Sequence, residues 1–330
     1  MRRRLAAGLL LVAALLATIG CIEESWGQAK TPRLGILSFG WGATDDAVRQ
    51  RLEPFRRTLA DQGWIGSENV SFEYRSVPSD PSQLAEFAEE LVRLNVDVIL
   101  AIDAPGARGA YAATETIPIV AIDFTSDPVA EGYIEGYGRP GKNITGVFLD
   151  AAGFAGKWLE VLKSVVPGLS RVTVLWDPGP GPVLLEAVQR AARSLRIQVE
   201  VLELRKPDDI DAAFSALPER TQALLILPSL MTFLEGERLA KLAIKHRLPA
   251  MSMFRAFAEA GGAIAYGPDL ASSTEHCAGL VARILDGARP IDLPVEGPSR
   301  FELVVNLKTT RALGLKVPGS ALVRANETIR

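Results

Sequence analysis

The stretch from Val96 to Gly132 constrains the fold of this chain most strongly, because it has the pattern of a β-α-β unit. Val96 to Ile102 is an unbroken apolar run rich in β-branched residues, which predicts a strand buried on both faces of a parallel sheet. After a break at residues 103–106, Ala107 to Thr114 predicts a closely packed helix, and Ile117 to Ile122 predicts the next strand. The unit therefore predicts an α/β fold.

The same alternation of apolar strands and amphipathic helices recurs along the chain. The predicted strands are Arg33–Phe39, Val70–Arg75, Val96–Ile102, Ile117–Ile122, Asn143–Phe148, Arg171–Trp176, Gln198–Leu204, Ala223–Leu227, Pro249–Met253, Ala263–Tyr266 and Phe301–Leu307. The predicted helices between them include Asp45–Gln62, Asp80–Leu94, Phe154–Val166, Val183–Leu195, Glu235–His246 and Ser272–Leu285. This repetition predicts two doubly wound, Rossmann-like α/β lobes that are joined by a hinge and separated by a cleft.

The lobe boundaries follow from the turn-rich break before Asn143 and from the late segments that return across the hinge. We expect residues 30–144 together with 267–300 to form the N-terminal lobe. We expect residues 145–266 together with 301–330 to form the C-terminal lobe. The chain would then cross the hinge three times.

The N-terminal residues have the pattern of an export signal. Arg2 to Arg4 precede the apolar run Leu5 to Gly20, which is short for a membrane-spanning helix. Cleavage after Ala29 would remove residues 1–29 as a signal peptide. Alternatively, cleavage before Cys21 would remove residues 1–20 and leave a lipidated cysteine. We expect a periplasmic protein, with a membrane-anchored lipoprotein facing the periplasm as the alternative.

The composition argues against several classes of function. The formal net charge is −3 and no basic stripe interleaved with aromatic residues occurs, so we expect no nucleic acid partner. The chain has two histidines and two cysteines, a poor supply of ligands for a metal site, and it lacks a G-x-G-x-x-G loop and a G-x-S-x-G elbow. We therefore expect no metal, no cofactor and no catalytic residues. We also expect the chain to be a monomer.

Candidate ligand-binding residues come from the loops that follow the predicted strands, where open parallel sheets bind ligands. Asp103, Asp127 and Asp177 could pair with a ligand ammonium, although aspartate before proline or glycine is also common in turns. Arg255 could hold a ligand carboxylate, the alternative being a surface salt bridge. The complete predicted set is Ser38, Phe39, Trp41, Asp103, Ala104, Pro105, Ser126, Asp127, Asp177, Pro178, Ser229, Phe254, Arg255 and Tyr266.

Within this set the aromatic residues have different expected roles. Trp41 and Phe254 would form apolar walls of the cleft, and Tyr266 would line its hinge side. Phe39 fits either a cleft wall or the core of a lobe.

Several segments occur in the order and spacing of a known family. They include TIPIVAIDFTSDPV at 116–129, RPGKNITGV at 139–147, RVTVLWDP at 171–178 and FELVVNLKTTRALGLKVP at 301–318. On these segments the chain resembles the ABC transporter substrate-binding proteins that include tryptophan-binding lipoproteins, a branch of the type I periplasmic binding proteins. The resemblance implies an exported two-lobed receptor that binds a small solute and hands it to an ABC permease in the inner membrane.

The chain also departs from that family at three predicted pocket loops. Ala104-Pro105 stands where the family often has Thr-Pro or Ser-Pro, and Asp177-Pro178 where it often has Asn-Pro. Pro228-Ser229-Leu230 lacks the acidic residue often found in that loop. We therefore expect an amino-acid-like or other small organic solute without transferring tryptophan specificity. The alternatives are an exported sensing module for a signalling receptor and an enzyme on the same α/β frame.

Overall fold

A computed structural model of the chain describes residues 31–39, 51–66, 68–77 and 80–330. Arg33 to Arg330 form one compact unit that contains two β-sheets. The strands are β1 (Arg33–Phe39), β2 (Ser71–Val77), β3 (Val98–Ile102), β4 (Ile119–Asp123), β5 (Ile144–Phe148), β6 (Arg171–Trp176), β7 (Gln198–Glu203), β8 (Ala223–Ile226), β9 (Ala250–Ser252), β10 (Ile264–Pro268), β11 (Phe301–Asn306) and β12 (Glu327–Ile329).

The helices of the described residues connect these strands. They are α1 (Glu53–Asp61), α2 (Gln83–Arg93), α3 (Asp103–Ala113), α4 (Ala151–Val165), α5 (Val183–Leu195), α6 (Asp209–Ser215), α7 (Leu230–Leu234), α8 (Gly236–Lys245), α9 (Arg255–Glu259), α10 (Leu270–Leu285), α11 (Leu307–Ala312) and α12 (Gly319–Arg324), with a short 3-10 helix at Pro290–Asp292. None of those helices combines the length and the apolar composition that a membrane crossing requires.

The first sheet has five parallel strands in the order β2-β1-β3-β4-β5. The second has seven strands in the order β12-β11-β10-β9-β8-β6-β7, in which β10 and β11 are antiparallel and the other neighbours are parallel. In each sheet the first strand of the series lies between the second and third. This arrangement confirms the predicted pair of doubly wound α/β lobes and places a topological switch point in each.

Both sheets are covered by helices on their two faces, which explains the continuous apolar runs in their strands. In the first sheet, α1 and α10 pack on the face that carries Leu34 and Ile36, and α2 and α3 pack on the face that carries Leu37 and Phe39. In the second sheet, α4 and α5 cover one face, and α6, α8 and α9 cover the other. Complete burial of each large aliphatic side chain contributes about 1.5–3 kcal/mol to folding. The core clusters on both faces of each sheet therefore fix the positions of the strand ends.

The chain passes from the first sheet to the second later than the sequence indicates. Residues 145–148, expected in the C-terminal lobe, belong to β5, which pairs with β4 in the first sheet. Residues 267–268, expected in the N-terminal lobe, end β10 in the second sheet. These strand positions differ by a few residues from the expected lobe boundaries, which themselves stay a prediction.

The helix after β3 also differs from the prediction, because it begins at Asp103 and not at Ala107. Pro105 and Gly106 therefore lie in the first helical turn. This turn has N–H groups without helical acceptors, so a proline there removes no helical hydrogen bond. The predicted helix at Glu235–His246 begins after a separate short helix, α7, that the sequence analysis did not identify.

Candidate functional site

The carboxyl ends of β1, β3 and β4 meet at one edge of the first sheet. Ser38 lies beside Ile102 in the register of β1 and β3, and Ile102 lies beside Ile122 in the register of β3 and β4. Asp103 and Asp123, which follow Ile102 and Ile122, are therefore neighbours across this edge. The two carboxyl groups also interact electrostatically, because the negative charge of Asp123 helps to raise the pKa of Asp103.

Asp103 joins the end of β1 to the start of α3. One carboxylate oxygen accepts a hydrogen bond from the N–H of Phe39 at 2.7 Å, and the other accepts one from the N–H of Gly106 at 2.8 Å. Its backbone has a φ of 74°, in the left-handed region that non-glycine residues rarely adopt. Desolvation raises the pKa of this half-buried carboxyl group well above its usual range, although both hydrogen bonds oppose the shift.

Asp123 ends β4 and is 0% exposed. Its Oδ1 accepts hydrogen bonds from the N–H of Thr125 at 2.8 Å, from the Thr125 hydroxyl at 3.0 Å and from the N–H of Ser126 at 3.1 Å. Its Oδ2 is buried and has no hydrogen-bond partner among the residues that the structure describes. The sequence analysis noted carboxylates in this loop but did not select Asp123 as a site residue. A carboxylate that directly ends an otherwise apolar strand was the available signal.

The second sheet presents its own strand-end loops, after β6 and β8. Asp177 accepts the N–H of Gly179 at 2.8 Å, which is an ordinary turn contact. Ser229 caps α7, because its hydroxyl accepts the N–H of Thr232 at 3.1 Å while the Thr232 hydroxyl accepts the N–H of Ser229 at 2.9 Å. The polar atoms of both predicted site residues therefore have local structural roles.

Arg255 has the salt-bridge environment that was the alternative to a ligand role. Its guanidinium contacts Glu259 at 2.7 Å, Glu302 at 2.9 Å and Glu327. These partners raise the pKa of Arg255, the Glu259 hydrogen bond contributing most. Three carboxylates already neutralise this guanidinium.

Aromatic side chains line the same edge of the second sheet. The rings of Phe254 and Phe233 meet edge to face with 4.8 Å between their centroids. Tyr266 stacks on Phe154 at 5.3 Å, and its carbonyl accepts the indole N–H of Trp158 at 2.9 Å. Phe254 and Tyr266 thus provide half-buried apolar surface at the ends of β9 and β10.

The carboxyl edges of the two sheets face each other. Leu230, at the start of α7 on the second sheet, packs against the first-sheet cluster that includes Leu37, Phe39 and Val77. Phe124, directly after β4, packs against core clusters of both sheets. These contacts connect the strand-end loops that the sequence analysis predicted to line a cleft.

Short segments carry the chain between the sheets on one side of these edges. The N–H of Phe148 donates to the carbonyl of Glu296 at 2.9 Å, and the N–H of Asp269 donates to the carbonyl of Arg300 at 3.0 Å. The chain passes between the sheets after β5, after β10 and before β11. The first hydrogen bond connects the third passage to the first, and the second hydrogen bond connects the third passage to the second. Such a connection can bend as a hinge while keeping the two sheets in register.

The remaining predicted residues occupy varied positions. Ser38 and Phe39 are buried in the first-sheet core, and the Ser38 hydroxyl donates to that of Ser76 at 3.1 Å. Asp127 accepts the N–H groups of Val129 and Ala130 in an exposed turn. Ala104, Pro105, Ser126 and Pro178 are half-buried at the strand ends. Trp41 and the possible lipidation site Cys21 lie outside the described residues.

Two further features bear on the chemistry of the described residues. No group of three or more histidine, cysteine or acidic side chains in that part of the chain is arranged to hold a metal ion. Cys277 is buried against the first sheet, with its Sγ 3.8 Å from the carbonyl of Ala121, and burial raises the pKa of its thiol. A thiol with a raised pKa is a poor nucleophile.

Comparisons with known proteins identify relatives of this chain. A family model described as ABC transporter substrate binding protein matches residues 43–329. A tyrosine-binding protein from Clostridioides difficile is 23% identical over 266 residues, which cover 79% of this chain and 76% of that protein.

Solved structures with the same fold cover 91% of this chain and 100% of their own. A conserved domain protein from Vibrio cholerae has a TM-score of 0.79 at 26% identity. An ABC domain in complex with L-Trp from Streptococcus pneumoniae has a TM-score of 0.81 at 21% identity.

Proposed function

The chain belongs to the family of ABC transporter substrate-binding proteins, and from this membership we propose that it captures an amino-acid-like solute and delivers it to an inner-membrane permease. The solute would lie between the facing carboxyl edges of the two sheets. The tyrosine-binding and L-Trp-bound relatives support an amino-acid-like ligand.

Two separate contacts across the facing edges carry this proposal. Leu230, at the start of α7, packs against a core cluster of the first sheet, and Phe124, directly after β4, packs against a core cluster of the second sheet. Contacts of this kind close a cleft around a ligand and exclude water from it. Because they require the two edges to approach, a bound solute that favours the approach shifts the population toward the closed form.

The lobes that move in this proposal are defined by the sheets. The first comprises residues 33–148 with 270–296, and the second comprises residues 149–268 with 301–330. The paired passages at Phe148–Glu296 and Asp269–Arg300 would act as the hinge. The permease would recognise the closed arrangement, because only that form brings surfaces of both lobes together.

We further propose that the protein works in the periplasm. Family membership and the export-signal pattern of residues 1–20 support this location. Mass spectrometry of the protein purified from its native envelope separates the two processing routes. A chain that begins at Lys30 indicates a cleaved signal peptide, and a diacylglyceryl mass on Cys21 indicates a lipoprotein.

A thermal-shift screen tests the proposed solute class. The protein, freed of carried-over ligand by unfolding and refolding, is heated with individual amino acids, small carboxylates, sugars and nucleosides. A ligand at 100 times its Kd stabilises the folded state by about 2.7 kcal/mol, which raises Tm by about 4 °C in a chain of this length. A rise with amino acids supports the proposal. A rise with sugars or nucleosides alone would show that the solute class is wrong.

Small-angle X-ray scattering on the same samples tests the closure. The radius of gyration should fall when a stabilising solute is added, because the two lobes approach. A solute that raises Tm without any change in the radius of gyration would contradict the hinge mechanism.

A further inference from the structure

The carboxyl groups of Asp103 and Asp123 form an acidic pair at the edge of the first sheet. Neither carboxylate forms an ion pair with any residue that the structure describes. Asp123 is fully buried, and burial of a charged carboxylate without a partner is strongly unfavourable. A cationic ligand group would offset this cost.

The unused oxygen of Asp123 shows where this group would bind. Oδ1 of Asp123 takes all three hydrogen bonds from the Thr125–Ser126 turn, whereas Oδ2 has none. A purely structural turn residue needs only Oδ1, and an asparagine would supply the same acceptor. Retention of a charged second oxygen at a fully buried position thus calls for another partner.

A second polar atom without a partner lies near the same carboxylate. The Tyr133 hydroxyl is buried and the residue is 2% exposed; among the described residues no partner has hydrogen-bond geometry, although the Arg108 side chain lies nearby. Packing of its ring on Tyr111 and Phe148 fixes its position. Burial raises the pKa of Tyr133 to about 12, and the charge of Asp123 contributes to the shift. The hydroxyl is therefore neutral and can accept a hydrogen bond beside Asp123.

The surroundings of this pair place it at the junction of the two lobes. Phe124, the next residue after Asp123, contacts core clusters of both sheets, and the carbonyl of Asp123 accepts the N–H of Leu149 where the chain leaves the first sheet. Asp103 is half-buried and borders the same edge.

We propose that Asp123, through its free Oδ2, binds the ammonium group of the solute. This inference rests on the proposed solute-binding function and specifies the recognition chemistry of that site. The ammonium would donate hydrogen bonds to Oδ2 of Asp123 and to the Tyr133 hydroxyl. Because the anchor lies on the first lobe, the solute would bind there before the second lobe closes over it.

The test compares matched ligands by isothermal titration on protein purified from expression of the full chain and freed of bound ligand. One set is L-tyrosine, tyramine and 3-(4-hydroxyphenyl)propionate, and the other is L-leucine, 3-methylbutylamine and 4-methylpentanoate. Within each set the last member lacks the amine. In a set that binds, the deaminated acid should bind about 30-fold or more weakly than the better amine-bearing member.

The variant Asp123→Asn and its control Asp209→Asn connect this preference to the residue. Asp123→Asn should weaken binding of the amine-bearing members about 30-fold or more, while Asp209→Asn, at a carboxylate that accepts the N–H of Arg205 in a turn and lies outside the predicted ligand-binding set, should stay within about threefold. The ligand-free Asp123→Asn protein should have a Tm equal to or above that of the wild type, because asparagine keeps the turn acceptor and removes an unpaired buried charge. A lower Tm would assign the charge to the turn, and the matched-ligand comparison in the wild type would then decide the inference.

The possible outcomes separate the inference from the function on which it rests. Equal binding by the deaminated acids, or full affinity in Asp123→Asn, would overturn the ammonium site and leave solute binding intact. Failure of all six compounds to bind would count against the proposed solute class and against this inference together. If Asp123→Asn does not fold, the wild-type comparison of the matched ligands still decides, with Tyr133→Phe as the second variant.

Discussion

The N–H of Phe39 donates a hydrogen bond to the carboxylate of Asp103 at 2.7 Å, which joins the ends of β1 and β3 across the topological switch point of the first sheet. The same carboxylate holds the N–H of Gly106 in the first turn of α3. One side chain thus fixes the positions of a strand end and a helix start. The left-handed backbone of Asp103 makes this possible, since it turns the chain directly from strand into helix.

We predict that Asp103→Asn changes the pH dependence of stability. Burial, with the charge of Asp123, raises the pKa of Asp103 in the native state, so that state binds the proton more tightly than the unfolded chain does. The wild type therefore loses stability at this position as pH rises from the unfolded value of about 3.9 through the raised native value. Asparagine tolerates the positive φ and does not titrate, so the stability of the variant relative to the wild type should increase with pH.

Urea unfolding of both proteins at pH values from about 4 to 7 measures this effect. The difference in unfolding free energy should change by up to about 1.4 kcal/mol per pH unit inside the titration window. A difference that stays constant over this range would show that burial does not perturb the Asp103 carboxyl group.

Leu230→Asp should weaken solute binding with little effect on the stability of the ligand-free protein. The change places a charge where Leu230 packs against the first-sheet cluster, so it disfavours the approach of the two edges. Loss of one buried leucine contact should reduce the binding free energy by about 1.5–3 kcal/mol, which raises Kd about 10- to 100-fold. Leu234→Asp, at an exposed position of the same helix, is the control and should leave Kd unchanged. Equal losses in both variants would mean that α7 itself is perturbed.

Arg255→Gln should reduce stability without reducing solute affinity. The substitution leaves half-buried Glu302 without its guanidinium partner, and each lost pair of this partly exposed network contributes less than about 1 kcal/mol. We expect a total loss of about 1–2 kcal/mol in urea unfolding. Arg289→Gln, which removes an exposed pair with Asp292, is the control and should have a smaller effect. A large rise in Kd for Arg255→Gln would restore its predicted role as a ligand-carboxylate site.

Substitution of two glycines should have opposite effects on stability. Gly146 in β5 has a φ of 141°, and a Cβ there would lie 2.0 Å from the carbonyl oxygen of Ala121. Gly146→Ala should therefore cost about 3 kcal/mol or more, or prevent folding. A Cβ at Gly279 on α10 would meet no atom within 4 Å, so Gly279→Ala should stabilise the protein by about 0.5–1 kcal/mol. Thermal unfolding of both variants checks the pair, and equal effects would contradict this packing.

Strands β1 to β11 and the doubly wound order were predictable because burial on both faces leaves a simple signal. β1 and β6 have the predicted boundaries, since each is a mainly apolar run that a glycine or an aspartate follows. The helical start at Asp103 was not predictable, because it depends on a positive φ supported by contacts with Phe39 and Gly106.

The candidate site was less accessible from the sequence than the fold. Arg255 was predicted as a ligand residue because Glu302 and Glu327, its partners, lie far away in the chain. Asp123 was passed over because its local context resembles a turn, and the sequence does not show which of its two oxygens the turn uses. Its neighbour Asp103 lies at the sheet edge and stays a predicted ligand residue, and its electrostatic coupling to Asp123 depends on the strand register.

The helix α10 has a consequence for the order in which this protein can fold during its synthesis. It supplies Cys277, Ala278 and Val281 to the core on one face of the first sheet, whose strands all end by residue 148. A ribosome therefore releases the five strands well before α10, and the part of that face that α1 does not cover stays open to solvent until most of the chain has been made. The native state cannot be completed before α10 is made. The chain is therefore still incompletely folded when translation nears its end.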